Sequence, residues 1–345
     1  MSAVDRAAAV LREGVVRTDA AHLAVAQVDG AGARAALERL LPCELHLYDA
    51  SARPTLLVDP EDGRVIADVT VARVEGGYLL VVDGVTSAEV AARIADAAPS
   101  PTTVTVRDVL EDRAPLALHG PYAWELAAAW LGRHLIGLPS LALHTSARAW
   151  VLRYGRTGES GYEVLVPRGV LDEELDRLRA LGERFDLIDA PQASVDRCTL
   201  EVGGFVARRP SLASLSPVEL QLQWRLSARK EHVGRDALDC RRAAATSRIT
   251  WFRSAGSIAE GARVELDGEA VGEVLGCEPM SIGGGWGGIA LLDLRVAHAG
   301  LALDTASGPL TTASAPLLEP TSRRVRVHSD TYATRRPRSV EAPAA

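Results

Sequence analysis

Lysine is nearly missing from this 345-residue chain: of its 38 basic residues, only Lys230 is not arginine. Schiff-base or lysine-base chemistry is thereby confined to one residue. That residue sits in the polar run Arg229-Lys230-Glu231-His232, which reads as solvent-exposed. Cysteine is equally sparse. Cys43, Cys198, Cys240 and Cys277 lie far apart with no CxxC pair, a spacing that disfavours zinc or iron–sulfur ligation and reads as four buried thiols in a reducing cytoplasm. Apolar runs such as Tyr78–Val82 and Ile289–Leu292 fall far short of the ~18 residues of a membrane span, and no basic-then-apolar leader opens the chain. GxSxG, Walker and HExxH motifs are all missing, and the eight histidines are scattered singly. Serine nucleophiles, nucleotide triphosphate sites and metal hydrolysis therefore lack support, and no metal is expected. A net charge of -7 argues against a nucleic-acid partner.

With 47% hydrophobic residues, the chain has enough apolar material for several packed cores. Ser2 and Asp5 open a short helix that stops at Gly14, and Val15–Val28 reads as one strand-like segment. Gly32–Leu41 is helical in pattern. Thr55–Asp59, Val65–Val74 and Tyr78–Val82 are strands, the last two joined by a hairpin at Gly76-Gly77. Thr86-Ser87-Ala88-Glu89 is a capping box for a helix to about Ala97. Thr102–Asp108 and Leu116–His119 read as strands, and Pro121 opens a helix that stops at Gly132. Ala149–Arg153 and Tyr162–Pro167 flank the loop Gly155–Gly161. Amphipathic helices follow, one over Leu171–Leu181 and one capped by Asp189 that carries Asp196 and Glu201 and ends at Gly203. Ser216-Pro217-Val218-Glu219 is a second capping box. From Arg248 the pattern is short strands and glycine turns, an all-β module, and the arginine- and proline-rich tail after Glu319 ends in about a dozen residues expected to be disordered. Gly283, Gly285 and Gly288 spell GxGxxG, but the apolar run Ile289–Leu294 that follows is a strand. A dinucleotide loop needs a helix there, so this is a hairpin turn.

Two carboxylates stand out. Asp68 lies inside Val65-Ile66-Ala67-Asp68-Val69-Thr70-Val71, where alternation puts it on a face with Ile66 and Thr70. A mid-strand carboxylate needs water, a partner or a ligand, and taken alone the pattern favours the solvent face of an antiparallel sheet. Glu201 closes a helix, opposing its dipole, and taken alone reads as solvated.

Taken together, the segments resemble the aminomethyltransferase family, the T-protein of the glycine cleavage system and its folate-dependent relatives. The glycine-tyrosine-threonine-glycine-glutamate-aspartate-glycine loop of that family is matched by Gly155-Arg156-Thr157-Gly158-Glu159-Ser160-Gly161, leading into Tyr162-Glu163-Val164. Its arginine-leucine-glutamate-alanine-glycine stretch is matched in part by Asp196-Arg197-Cys198-Thr199-Leu200-Glu201-Val202-Gly203. Ser216–Glu219, Leu222-Gln223-Trp224, Val233–Leu238, Gly63–Asp68, Asp19 with His22, Leu118–Pro121 and Val271–Val274 follow in family order. The resemblance implies an α+β fold, a three-domain cloverleaf around a central folate channel with an all-β C-terminal domain. The implied units are residues 1–27 with 105–214, then 28–104 with 215–246 (ferredoxin-like), then 247–320, with a tail at 321–345. It implies tetrahydrofolate, or its 5,10-methylene or 5-methyl form, as cofactor. Asp68 is implied as the catalytic carboxylate and Glu201 as the group that grips the pterin ring. Tyr154, Arg156, Thr157 and Asp83 are implied as further cofactor-binding positions.

The departures are specific. Ala67 replaces the first aspartate of the strand pair, Arg156 the loop tyrosine and Asp83 an asparagine, and the arginine expected early in the third domain is lost near Ile258. Much of the family's usual N-terminal stretch has no counterpart. Retained carboxylates in an altered channel point to a folate-dependent one-carbon transferase acting on a specialised polar or anionic small molecule. A lipoyl carrier protein is not the expected partner, nor is glycine cleavage the expected reaction. The competing readings are a non-enzymatic folate-binding maintenance protein, like the iron–sulfur repair branch of the superfamily, and a degenerate binding subunit. Against the former, Lys230-Glu231-His232-Val233-Gly234-Arg235 lacks that branch's cysteine.

Overall fold

Helix α1 (Ala3–Glu13) forms because Ser2 and Asp5 satisfy its first orphan amides reciprocally: the Asp5 amide donates to Ser2 Oγ and the Ser2 amide to Asp5 Oδ2. The helix buries Ala7, Ala8, Leu11 and, unusually, Arg12. The structure, a computed structural model, describes residues 2–100, 103–327 and 329–335.

The segment expected as one strand over Val15–Val28 is two. The Asp19 carboxylate accepts from the Ala21 amide at 2.8 Å, an Asx-type turn that ends β1 (Val16–Asp19) before β2 (Leu23–Asp29) begins. The break matters because β1 and β2 enter different sheets. Helix α2 (Ala33–Leu40), strands β3 (Ala52–Val58), β4 (Val65–Val74) and β5 (Gly77–Asp83), helix α3 (Ser87–Ala97) and strand β6 (Thr105–Asp108) complete a five-stranded antiparallel sheet of order β3-β4-β5-β2-β6. Both helices pack into one core with it, Leu37 and Ile94 against Val69, Val71 and Val82. The capping box of α3 forms as read, Thr86 with Glu89. Because β2 and β6 belong to this sheet, residues 23–27 and 105–108 join the middle unit, not the first one.

Strand β7 (Arg113–His119), helix α4 (Ala123–Leu131), strands β8 (Leu143–Thr145), β9 (Trp150–Leu152) and β10 (Gly161–Pro167), helix α5 (Leu171–Gly182), strand β11 (Ile188–Asp189) and helix α6 (Gln192–Glu201) build the second sheet. Its order is β11-β1-β7-β10-β9-β8. Two helix starts differ from the sequence pattern. Pro121 precedes α4, whose N-cap is Tyr122, and Asp189 does not cap α6 but sits in β11, paired with Arg17. Ser216 and Glu219 exchange capping-box bonds, yet the chain makes only a turn, since Gln221 takes a left-handed φ of 56° and ends it.

Helix α7 (Arg235–Ala244) leads into β12 (Ser247–Ser254), β13 (Arg263–Leu266), β14 (Glu269–Pro279), β15 (Trp286–Asp293), β16 (Ala302–Leu303) and β17 (Leu310–Ala313). These make an antiparallel sheet of order β13-β14-β15-β12-β17-β16, brought close to a barrel by paired amide bonds between Glu265 and Asp304. The glycine triplet forms the β14–β15 hairpin, as its sequence context requires.

Several expectations about burial change. Cys43 and Cys198 are buried, but Cys240 is exposed and Cys277 half-buried. Lys230 is not free in solvent: its ammonium pairs with Glu38 and donates to the Leu41 and Cys43 carbonyls. The tail returns to the β7–β10 unit, where Tyr332 packs on Tyr122 and Phe185, so its described part is ordered; the disorder expected for the final residues falls largely on 336–345, outside the described residues. Among the described residues no helix is long and apolar enough to cross a membrane.

Candidate functional site

Asp68 is 1% exposed. The solvent-face reading fails because both faces of β4 are covered. Register places Asp68 directly opposite Asp83 at the end of β5. Two carboxylates facing each other across a ladder repel unless cations lie between or beside them. Three arginines from outside this sheet do so. Arg225 Nη1 donates to Asp68 Oδ1 at 2.7 Å, and Arg156 Nη1 donates to Asp68 Oδ2 at 3.0 Å. Arg208 Nε donates to Asp83 Oδ1 at 2.6 Å, and its Nη2 to Asp196 at 2.9 Å.

Arg156 reaches in from the β9–β10 loop and lies at the centre. Besides Asp68 it approaches Asp83 at 3.8 Å and Glu163 at 3.5 Å, and it stacks over the Tyr154 ring at 5.2 Å. Burial opposes its charge, but Asp68 and Glu163 outweigh that and raise its pKa. Glu163 comes from β10. Burial pushes its carboxyl pKa up, against the lowering pull of Arg156. Burial likewise raises the Tyr154 phenol, with Asp68 adding to the effect.

Beside this cluster is a cavity of about 20 Å³, lined by Thr18, His22, Asp83, His119, Arg156 and Glu163 among others. Burial, then Arg156, push His119 down to about 4, and burial lowers His22 as well, so both imidazoles are neutral here near pH 7. Three buried polar atoms of the lining have no hydrogen-bond partner: Arg156 Nη2, Glu163 Oε2 and His119 Nδ1. Such atoms call for a water or a ligand.

Glu201 and Thr157 lie elsewhere. Glu201 is buried, not solvated. Its Oε1 accepts from the Ser281 amide at 2.5 Å, and its Oε2 from Arg12 Nη2 at 2.8 Å and Ser281 Oγ at 2.7 Å. Arg12 also donates to the carbonyls of Thr157 and Cys198 and to Glu159. Glu201 is therefore held by Arg12 and Ser281, apart from the Asp68 cluster, and lines a second cavity with Arg197, Leu200 and Ile289. Asp68, Asp83, Arg156 and Tyr154 are brought together as expected. Glu163, Arg225, Arg208 and His119 are additions. Glu163 carries the same signal as Asp68, a carboxylate inside the β-forming run Tyr162–Val166.

The description of the GCVT N-terminal domain matches residues 1–230, two thirds of the chain. The aminomethyltransferase of Frankia alni is 32% identical over 329 residues, covering 88% of this chain and 86% of the relative. The chain belongs to the aminomethyltransferase family. Members of this family are folate-dependent one-carbon transferases. The aminomethyltransferase of Synechococcus elongatus is 28% identical over 66% of this chain and 63% of its own length. In fold, the chain is similar to the glycine cleavage system aminomethyltransferase T from Bartonella henselae, with a TM-score of 0.79 at 19% identity, covering 92% of this chain and 90% of that one. The family's three-unit fold is therefore the frame that holds the Asp68 cluster.

Proposed function

We propose that this chain is a cytoplasmic tetrahydrofolate-dependent one-carbon transferase that acts on a free polar or anionic small molecule. The observation that carries the reading is the convergence of Asp68, Asp83 and Glu163 on Arg156, beside one cavity, within a family of folate enzymes. The lining suits a reduced pterin. Glu163 Oε2 is an open acceptor for the ring's N–H edge, and His119 Nδ1 is an open group for its ring-nitrogen side. When bound, the folate supplies the nitrogen that carries the one-carbon unit. Asp68 holds a proton or balances a cation developing beside it, help worth ~10²–10⁴-fold, and positioning of the two reactants contributes ~7–11 kcal/mol.

The preference for a free small molecule over a lipoyl arm rests on Arg156 and Arg208. Both are guanidinium groups close to the cavity, suited to a carboxylate or other anion and ill suited to a thioether chain. The test is mass spectrometry of reactions pairing tetrahydrofolate with panels of amines and methyl ethers. A parallel reaction with the aminomethylated lipoyl carrier scores ammonia release. Rates on the carrier comparable to a glycine cleavage enzyme would return the chain to that reaction.

One observation favours the non-enzymatic alternative: both oxygens of Asp68 are engaged by arginines. Tight folate binding with no product from any donor would support it.

A further inference from the structure

Arg156 fills the place where three buried carboxylates meet, and it lines the cavity beside them, which Asp68 itself does not reach. We propose that Arg156 is an internal stand-in for the ligand, a tethered guanidinium that withdraws by side-chain rotation as a ligand with a guanidine-like N–H edge enters. The identity of that ligand as a folate rests on the reading above; the displaceable cation does not.

Four features carry the proposal. The first is space. With Arg156 in place the cavity has about 20 Å³, room for about one water and far too little for a bicyclic ring. The second is chemistry. The 2-amino-4-oxo edge of a pterin presents N–H groups in a planar fork, as a guanidinium does, so the two compete for the same carboxylate.

The third is how the charges are left. When Arg156 leaves, Asp68 keeps Arg225 at 2.7 Å and Asp83 keeps Arg208 at 2.6 Å. Only Glu163 loses its cation, because Arg156 is its sole ion-pair partner among the described residues. Glu163 is thus the acceptor that the incoming ligand must satisfy. The hold on Arg156 is also incomplete: its contacts to Glu163 and Asp83 are 3.5 and 3.8 Å, and Nη2 has no partner.

The fourth feature decides what moves. The loop backbone is clamped on its far side. The Glu159 carboxylate accepts from Arg12 and from the amides of Thr321 and Ser322, the Thr157 carbonyl accepts from Arg12, and the Ser160 amide donates to Ser322 Oγ. The loop stays put, and the Arg156 side chain turns.

The experiment compares wild type with Arg156→Ala and Arg156→Tyr, the latter placing the family's loop residue at this position. Calorimetry with 5-formyltetrahydrofolate is expected to show both variants binding about 10–1000-fold more tightly, since the ligand no longer has to select a minor open state. Millimolar guanidinium, far below denaturing concentration, is expected to raise the Tm of Arg156→Ala by refilling the vacated place, and to compete with the folate there. It should do neither in wild type. Wild-type folate binding as tight as that of both variants would overturn the stand-in while leaving the folate reading intact. Guanidinium rescue of Arg156→Ala with no folate binding by any form would support the stand-in and remove the folate reading. If Arg156→Ala does not fold, the affinity of Arg156→Tyr decides: no gain over a folate-binding wild type overturns the proposal.

Discussion

The loop Gly155–Gly161 feeds two buried ionic clusters, and they are built on opposite terms. On one side, Thr157 and Glu159 join Arg12, Glu201 and Ser281, where the Arg12 nitrogens and both Glu201 oxygens have protein partners. On the other, Arg156 joins Asp68, Asp83 and Glu163, where Arg156 Nη2, Arg225 Nε and Glu163 Oε2 have none. A buried network whose every polar atom has a partner fixes one arrangement, whereas one with orphaned atoms beside a cavity is held in readiness for something else. Satisfaction, more than charge or burial, separates the structural knot from the candidate site.

Removing the cation of the saturated cluster should have the largest effect on folding. Arg12→Met leaves Glu159 and Glu201 buried without their counter-charge, and is expected to cost about 3–5 kcal/mol in a denaturant titration. A loss under about 1 kcal/mol would mean the knot is not structural.

In the unsaturated cluster the large effect should fall on chemistry. Asp68→Asn is nearly isosteric and is expected to lower one-carbon transfer about 10²–10⁴-fold with an unchanged circular dichroism spectrum. Near-wild-type turnover would move the role to another group, Asp83 first.

The cavity also predicts an acid response. His119 is buried and neutral, its pKa held by burial at about 4, below the usual imidazole value of about 6.5. Between those values the unfolded chain binds more protons, so stability is intact above about pH 6.5 and falls as pH drops toward 4. The full loss is about 3 kcal/mol. His119→Gln should flatten that limb in pH-dependent denaturation; an unchanged limb would place the proton uptake elsewhere.

The smallest effects are the sharpest test of the contrast. Glu201→Gln should cost about 1–3 kcal/mol of stability and leave 5-formyltetrahydrofolate affinity unchanged. Glu163→Gln should weaken that affinity while changing stability by about 1 kcal/mol or less. The reverse pattern would make Glu201 the pterin-binding group.

Much of the local architecture was legible from residue order. The Ser2 and Thr86 caps, the Gly76-Gly77 hairpin and the β14–β15 turn each depend on residues within a few positions of one another. Family order pointed to Asp68, Asp83, Tyr154 and Arg156, and the structure does gather them. It also put Glu201 and Thr157 on the list, and they stand in the other cluster.

The sequence by itself determined the element types, the family and the set of carboxylates worth suspecting, because propensity, capping and motif spacing act over short stretches of chain. Only the tertiary structure decided which carboxylates remain open. Arg12 reaches Glu201 across 189 positions and Arg225 reaches Asp68 across 157. Whether a buried charge is spent on the protein or kept for a ligand depends on which distant partner arrives first at its lone pairs, and no local pattern records that.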